Sequence, residues 1–232
     1  MSGSGITDPG FQQTRERRRI RILTNVDLKV YPSDKPLAAL VLAHGAGSGQ
    51  LSSFMVEAAQ GFASRGISTA TFDFPYMAAR RSIPDRPPIL EQAWRDAIEA
   101  ARQRFAALPL FVGGKSMGGR ISTQVAAQKN VGRLSGVLLL GYPLHPPGKP
   151  EQRRDSHLPD ISEPMLFVQG AKDAFGRGEE IRALLPRLQH ATLHEIPLGD
   201  HSFKVPGGKA KQQEVRTEVL DVSAEWMRSL SG

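Results

Sequence analysis

The sequence LFVGGKSMGGR, residues 110–120, contains the most informative motif of this chain. The apolar Leu110–Val112 predicts a buried strand, and the segment from Ile121 to Gln128 predicts a helix. Between them, Gly114-Lys115-Ser116-Met117-Gly118 forms a G-x-S-x-G sequence, which in this context is typical of a sharp strand-to-helix turn. Such a turn lifts the serine hydroxyl above the carboxyl edge of a sheet. Ser116 is therefore a candidate nucleophile, and an ordinary glycine-rich loop is the alternative interpretation.

A serine nucleophile needs a histidine base and an acid that orients the histidine. Met165–Gly170 predicts a buried strand, and Asp173 follows it closely. Ala191–Ile196 predicts another strand, and His201 lies in the turn-rich segment after it. Both side chains are thus expected at the edge of a parallel sheet where the serine also lies. The predicted catalytic residues are Ser116, Asp173 and His201.

Other residues fit these two roles less well. Asp200 is a rival acid, but a residue adjacent to the histidine in an extended turn usually points away from it. One histidine precedes the serine in the chain, and the others lie in a proline-rich insertion or at a strand. We interpret these five as surface or structurally hydrogen-bonded histidines: His44, His145, His157, His190 and His194.

The negative oxygen that forms during attack requires N–H donors fixed in advance. The backbone N–H of Met117, directly after the serine, is the first candidate. The apolar Leu37–Ala43 predicts a strand. The second candidate donor lies in the glycine-rich loop that follows this strand, residues 44–49, HGAGSG. This loop could instead bind a phosphate, but it lacks the Gly-Lys-Ser/Thr ending of a nucleotide-binding loop. We therefore expect the Ala46 N–H to complete the oxyanion hole.

Four motifs together resemble the α/β-hydrolase superfamily: HGAGSG (44–49), GGKSMGGR (113–120), QGAKDAFG (169–176) and GDHSF (199–203). More narrowly, the chain resembles a compact bacterial branch related to the testis-expressed and NSL-complex hydrolase-like proteins, with dienelactone hydrolases as distant cousins. The resemblance spans about residue 19 to the C-terminus. It implies an α/β-hydrolase fold with a mostly parallel central sheet, helices on both faces and a minimal lid, and it implies the same triad. Dienelactone hydrolases use a cysteine nucleophile, which this chain lacks.

Composition is that of one globular domain, with 40% hydrophobic and 23% charged residues. We expect residues 1–18 to be a flexible tail and residues 19–232 a single domain. The absence of cysteine excludes disulfides, thiolate catalysis and cysteine-ligated zinc. The start of the chain resembles no signal peptide, and no apolar run is long enough to span a bilayer, so a cytoplasmic protein without a membrane partner is expected.

The net charge of +7 raises the question of nucleic-acid binding. The densest basic run, Arg15–Arg19, leads into the alternating Ile20–Leu23, which predicts a strand near a sheet edge. Charge at an edge discourages aggregation between sheets. We therefore expect a solvated edge and no nucleic-acid partner.

The predicted elements alternate as an α/β fold requires. Further strands are expected near 19–24, 26–31, 68–72 and 136–140, and helices over 54–65, 89–107 and 212–230. The insertion at Gly141–Glu163 is too short and polar for a helical lid, which favours an open site. Five loop residues either line that site or pack beneath the loops: Phe74, Tyr76, Met77, Tyr142 and Phe203.

The predicted function is hydrolysis of a carboxylic ester or related acyl bond of a small soluble substrate through an acyl-enzyme, with no metal and no organic cofactor. A catalytically silent interaction protein of the same fold is one alternative. Thioesterase or peptidase chemistry on the same triad is the other, because fold alone does not determine the bond that is cleaved. The oligomeric state stays open.

Overall fold

The computed structural model describes residues 26–231 and contains one seven-stranded sheet in the order β1-β3-β2-β4-β5-β6-β7. Six strands run parallel, and β1 pairs antiparallel with β3 at one edge. This confirms the predicted mostly parallel sheet. The predicted tail and the strand near 19–24 lie outside the described residues. The strands are β1 (Lys29–Tyr31), β2 (Ala38–Ala43), β3 (Ile67–Phe72), β4 (Leu110–Lys115), β5 (Gly136–Leu140), β6 (Met165–Gly170) and β7 (Ala191–Ile196).

Helices cover both faces of this sheet, because its central strands are apolar on both sides. Every residue of β2 and β5 is buried. One face packs against α3, α4 and α5, and the other against α1 and α6. The helices are α1 (Ser53–Ala63), α2 (Pro75–Ala78), α3 (Pro87–Arg104), α4 (Met117–Ala127), α5 (Gly178–Leu184) and α6 (Gly208–Ser229).

The element bounds differ from prediction on both sides of the G-x-S-x-G turn. Strand β4 continues through two glycines to Lys115, and α4 begins at Met117, four residues before the predicted start. Glycine is a weak strand former in general, but here close packing requires it. A Cβ on Gly113 would collide with the Leu138 carbonyl oxygen of β5.

The insertion at Gly141–Glu163 packs against the helices of one layer and holds no lid helix. Its one regular element is a 3₁₀ turn at Leu158–Asp160. His145 Nε2 lies 3.1 Å from Glu180 Oε1 of α5, and His157 Nε2 lies 2.8 Å from Thr123 Oγ1 of α4. The two histidines therefore anchor the insertion to the body of the protein.

Candidate active site

Ser116 lies at the junction between β4 and α4, in a backbone conformation that non-glycine residues rarely adopt. Its φ is 52° and its ψ is −116°. The Ser116 N–H donates to the Leu140 carbonyl oxygen at 3.0 Å, which fixes the turn to the end of β5. This is the expected geometry for a nucleophile at a sharp strand-to-helix turn.

Two glycines make the turn sterically possible. A Cβ on Gly114 would lie 2.6 Å from the Ala43 carbonyl oxygen and 2.7 Å from the Gly118 carbonyl carbon. A Cβ on Gly118 would lie 2.7 Å from the Ala43 carbonyl carbon. Since real Cβ atoms do not approach so closely, both positions of the motif require glycine for contact with the end of β2.

The three predicted catalytic residues converge on the carboxyl edge of the sheet. His201 Nε2 lies 2.9 Å from Ser116 Oγ, and His201 Nδ1 lies 2.7 Å from Asp173 Oδ2. Both distances are those of hydrogen bonds. An imidazole placed in this way accepts a proton from the serine while its other nitrogen donates to the carboxylate.

Asp173 is fully buried, and its carboxylate accepts several hydrogen bonds. Besides His201, it accepts the Phe175 N–H at 2.8 Å on Oδ1 and the Gln169 side-chain amide at 2.9 Å on Oδ2. Gln169 Nε2 also lies 2.7 Å from the Gly176 carbonyl oxygen. These bonds hold the carboxylate in one orientation beneath the imidazole.

The rival acid, Asp200, has a different role. Its Oδ1 accepts the N–H groups of Ser202 and Lys204 at 2.7 and 2.8 Å, so it closes the turn that presents His201. The Phe175 ring packs against the imidazole, with ring centroids 4.3 Å apart. Sequence reasoning missed Phe175 and Gln169; their place within QGAKDAFG was the available signal.

The glycine-rich loop after β2 lies beside the nucleophile. A Cβ on Gly45 would be 3.6 Å from Ser116 Cβ. Tyr76 donates its hydroxyl proton to the Ala46 carbonyl oxygen at 2.8 Å, and the Gln50 N–H donates to Asp73 Oδ1 at 2.7 Å. Both bonds tie the loop to the segment after β3.

Comparison with known proteins identifies the family of the chain. Residues 36–228 match the model of the alpha/beta hydrolase domain. The chain belongs to the alpha/beta hydrolase family. At 21% identity and a TM-score of 0.68, a dienelactone hydrolase from Anabaena variabilis is structurally similar over 87% of this chain and 90% of its own.

Two further solved structures have the same fold as this alpha/beta hydrolase. A carboxyl esterase from Bacillus coagulans has 15% identity and a TM-score of 0.69, over 89% of this chain and 94% of its own. A serine hydrolase without a lid from Xanthomonas campestris has 18% identity and a TM-score of 0.66, over 87% and 89%. At these identities the similarity shows the fold alone.

His44 supports the glycine-rich loop of the hydrolase as a neutral side chain. Burial lowers its pKa, against the raising effects of the Gly45 carbonyl and Asp73. Its Nδ1 lies 2.8 Å from the Gly45 carbonyl oxygen, and its Nε2 accepts the Phe74 N–H at 3.1 Å. Because Nε2 then has no proton, its 3.5 Å approach to Asp73 Oδ1 is not an ion pair.

The aromatic loop residues were expected either to line the site or to pack beneath the loops, and they pack beneath the loops. Phe74, Tyr76, Tyr142 and Phe203 are at most 2% exposed. Met77 is partly exposed and lies against Gly49 of the glycine-rich loop. A substrate contact at Met77 stays a prediction.

The described part of the hydrolase contains neither a cluster of metal ligands nor a membrane-spanning helix. Within residues 26–231, no three His, Asp or Glu side chains converge in a way that could hold a metal ion. Among the helices of that range, none is both long and apolar enough to cross a bilayer. The expected absence of metals and membrane partners stays a prediction.

The different contacts of Asp173 and Asp200 give the first testable prediction. Asp173→Asn should keep the fold but lower kcat roughly ten-thousand-fold, because the amide favours the wrong imidazole tautomer. Asp200→Asn should lower kcat far less, since its carboxylate contacts backbone N–H groups. Steady-state kinetics of both purified variants makes the comparison, and the reverse ranking would reassign the acid.

The hydroxyl of Tyr76 gives a second testable prediction. Tyr76→Phe should lower kcat about tenfold with little change in KM, because the loop that Tyr76 holds contains Ala46, the expected oxyanion donor, and one such donor supplies a hundredfold or more. Tyr31→Phe is the matched control, since the Tyr31 hydroxyl has no hydrogen-bond partner among the described residues. Equal kcat values for the two variants would show that Tyr76 does not support the site.

Proposed function

We propose that the protein is a serine hydrolase that cleaves a carboxylic ester of a small soluble substrate through an acyl-enzyme. One observation supports this most: Ser116 Oγ, the His201 imidazole and the Asp173 carboxylate form a continuous hydrogen-bonded chain, with bonds of 2.9 and 2.7 Å. A carboxylate, an imidazole and a serine in this arrangement turn the serine hydroxyl into a nucleophile.

In the first half-reaction, Ser116 Oγ attacks the carbonyl carbon while His201 Nε2 takes the hydroxyl proton. The carbonyl oxygen becomes negative and accepts hydrogen bonds from the N–H groups of Met117 and Ala46. Met117 is the first residue of α4, where the helix dipole also favours negative charge. The tetrahedral intermediate then expels the alcohol, which receives its proton from His201.

In the second half-reaction, water replaces the alcohol. His201 removes a proton from the water as its oxygen attacks the acyl carbon, and then returns that proton to Ser116 Oγ. The carboxylic acid leaves, and Asp173 stays ionised throughout while holding the imidazole in one tautomer.

Several observations favour acyl-bond hydrolysis over a catalytically silent interaction protein. A silent interaction protein would not need the strained turn at Ser116 or three hydrogen-bonded side chains from separate loops. It would also not need a glycine-rich loop held by hydrogen bonds. Similar folds include one protein described as a carboxyl esterase and one as a dienelactone hydrolase. Thioester and peptide bonds are cleaved by the same steps, and comparing turnover of ester, thioester and peptide substrates distinguishes these activities. We also propose that the chain belongs to the narrower branch related to the testis-expressed and NSL-complex hydrolase-like proteins, and that the protein is cytoplasmic.

Loss of the nucleophile tests the proposal directly. Ser116→Ala should abolish labelling by a fluorophosphonate probe and lower turnover on the order of a million-fold. The measurement combines labelling with hydrolysis of p-nitrophenyl and thioester substrates. Near wild-type turnover in the purified variant would exclude Ser116 as the nucleophile.

Chain-length preference tests the open site. The insertion holds no lid helix, so little apolar surface is available for a long acyl chain, at about 0.8 kcal/mol per buried CH₂. We expect kcat/KM for p-nitrophenyl esters of two to sixteen carbons to peak between acetyl and butyryl, without activation by micelles. A maximum at twelve carbons or more would indicate an apolar pocket and contradict the prediction.

A further inference from the structure

Phe175 leaves part of an aromatic ring accessible to solvent beside the His201 imidazole. The centroids of the two rings lie 4.3 Å apart, with 33° between the ring planes. Phe175 is half-buried, whereas four other aromatic residues of the loops are at most 2% exposed: Phe74, Tyr76, Tyr142 and Phe203. The steps of ester hydrolysis given above do not use the Phe175 ring.

Hydrogen bonds hold the backbone of Phe175 on both sides. Its N–H donates to Asp173 Oδ1 at 2.8 Å, and its carbonyl oxygen accepts the His145 N–H of the insertion at 3.0 Å. The next residue, Gly176, has φ +150°, and a Cβ there would lie 2.8 Å from Leu144 Cβ. A contact surface that is already ordered loses little entropy when a ligand binds. The ring is therefore held in place before a substrate arrives.

The alcohol part of an ester must come close to this ring. His201 Nε2 gives a proton to the leaving oxygen, which requires an approach of about 3 Å. Phe175 packs against the same imidazole, whose side chain is 22% exposed. A ring-sized group on the leaving oxygen therefore comes within contact distance of Phe175. The acyl group, by contrast, stays on Ser116 Oγ.

The chemistry of the Phe175 ring indicates which alcohol it favours. Two aromatic rings attract each other in offset or edge-to-face arrangements beyond the gain from burying their area, and a saturated ring of the same size lacks this additional attraction. The neighbouring Asp173 carboxylate is fully buried and already accepts hydrogen bonds from the protein. An apolar aromatic alcohol therefore fits this side of the site best.

We propose that Phe175 is a specificity-determining residue that packs against the leaving group, and that the preferred substrates are short-chain acyl esters of aromatic alcohols. This inference rests on the proposed function, because it concerns the alcohol released in the first half-reaction. Water supplies the oxygen of the carboxylic acid product, and the aromatic alcohol leaves with the proton from His201.

The test compares benzyl acetate with cyclohexylmethyl acetate. The two esters share one acyl group, and their alcohols are similar in size and acidity. The wild-type protein should favour the benzyl ester in kcat/KM about fivefold, the scale of an aromatic pair, and Phe175→Leu should remove this preference. Phe54→Leu is the matched control, because Phe54 is also half-buried but packs against the buried core. The control should keep the wild-type preference.

A purely structural role of Phe175 gives a different result. If the ring only supports His201, Phe175→Leu lowers kcat/KM for both esters by the same factor and keeps their ratio. That outcome overturns the inference, as does a wild-type protein that does not favour the benzyl ester. Phe175→Met repeats the comparison if the leucine variant does not fold.

Binding of the free alcohols needs no turnover and separates this inference from the proposed function. Benzyl alcohol and cyclohexylmethanol are titrated into the Ser116→Ala variant, with and without Phe175→Leu, while NMR follows the His201 imidazole protons. Benzyl alcohol should bind more tightly only when Phe175 is present. Equal affinities in both folded variants overturn the inference. Selective binding without any ester turnover by the wild-type protein would support the aromatic contact and contradict the proposed function.

Discussion

The backbone turn at Ser116 is the constraint on which the site depends. A non-glycine residue at φ 52° and ψ −116° costs roughly 1–3 kcal/mol and persists only where its surroundings enforce it. Here β5 binds the Ser116 N–H, and the carbonyl end of β2 packs against Gly114 and Gly118. Three adjacent parallel strands and the start of α4 must therefore be assembled before the hydroxyl takes its position.

Around that turn, hydrogen bonds between loops fix the groups that support the reacting atoms. Gln169 and the Phe175 N–H orient the Asp173 carboxylate, and Tyr76 holds the loop that contains Ala46. Donors that are already oriented need no reorganisation when charge develops during a reaction. The supporting side chains come from strand ends and loops anchored to a rigid sheet, the arrangement that holds a site to within a fraction of an ångström.

Sequence reasoning expected Ser116, Asp173 and His201 at one edge of the sheet, because each follows a strand and strand ends of a parallel sheet meet there. In the structure His201 lies within hydrogen-bond distance of both Ser116 and Asp173, and the catalytic role of the three stays a prediction. The sequence did not predict the supporting partners. Gln169 lies inside an apolar run, and periodicity shows that such a residue is buried but not which atoms its amide meets. Aromatic loop residues such as Phe74 have the same sequence signal whether they face a substrate or pack beneath it. The seven-residue α5, GEEIRAL, was missed because it is short and largely polar.

The stability of the fold does not explain why a lysine occupies position 115 at this edge of the sheet. Burial lowers the folded-state pKa of Lys115 to about 8 from the ordinary value of 10.5, so the folded protein binds fewer protons than the unfolded chain between those values. Stability from this group therefore rises with pH across that window, and at neutral pH the ammonium costs on the order of 3 kcal/mol. Replacing a buried charge with an apolar side chain of similar volume is often neutral or stabilising. An apolar side chain at this position would avoid that cost, so the stability of the fold does not account for the lysine.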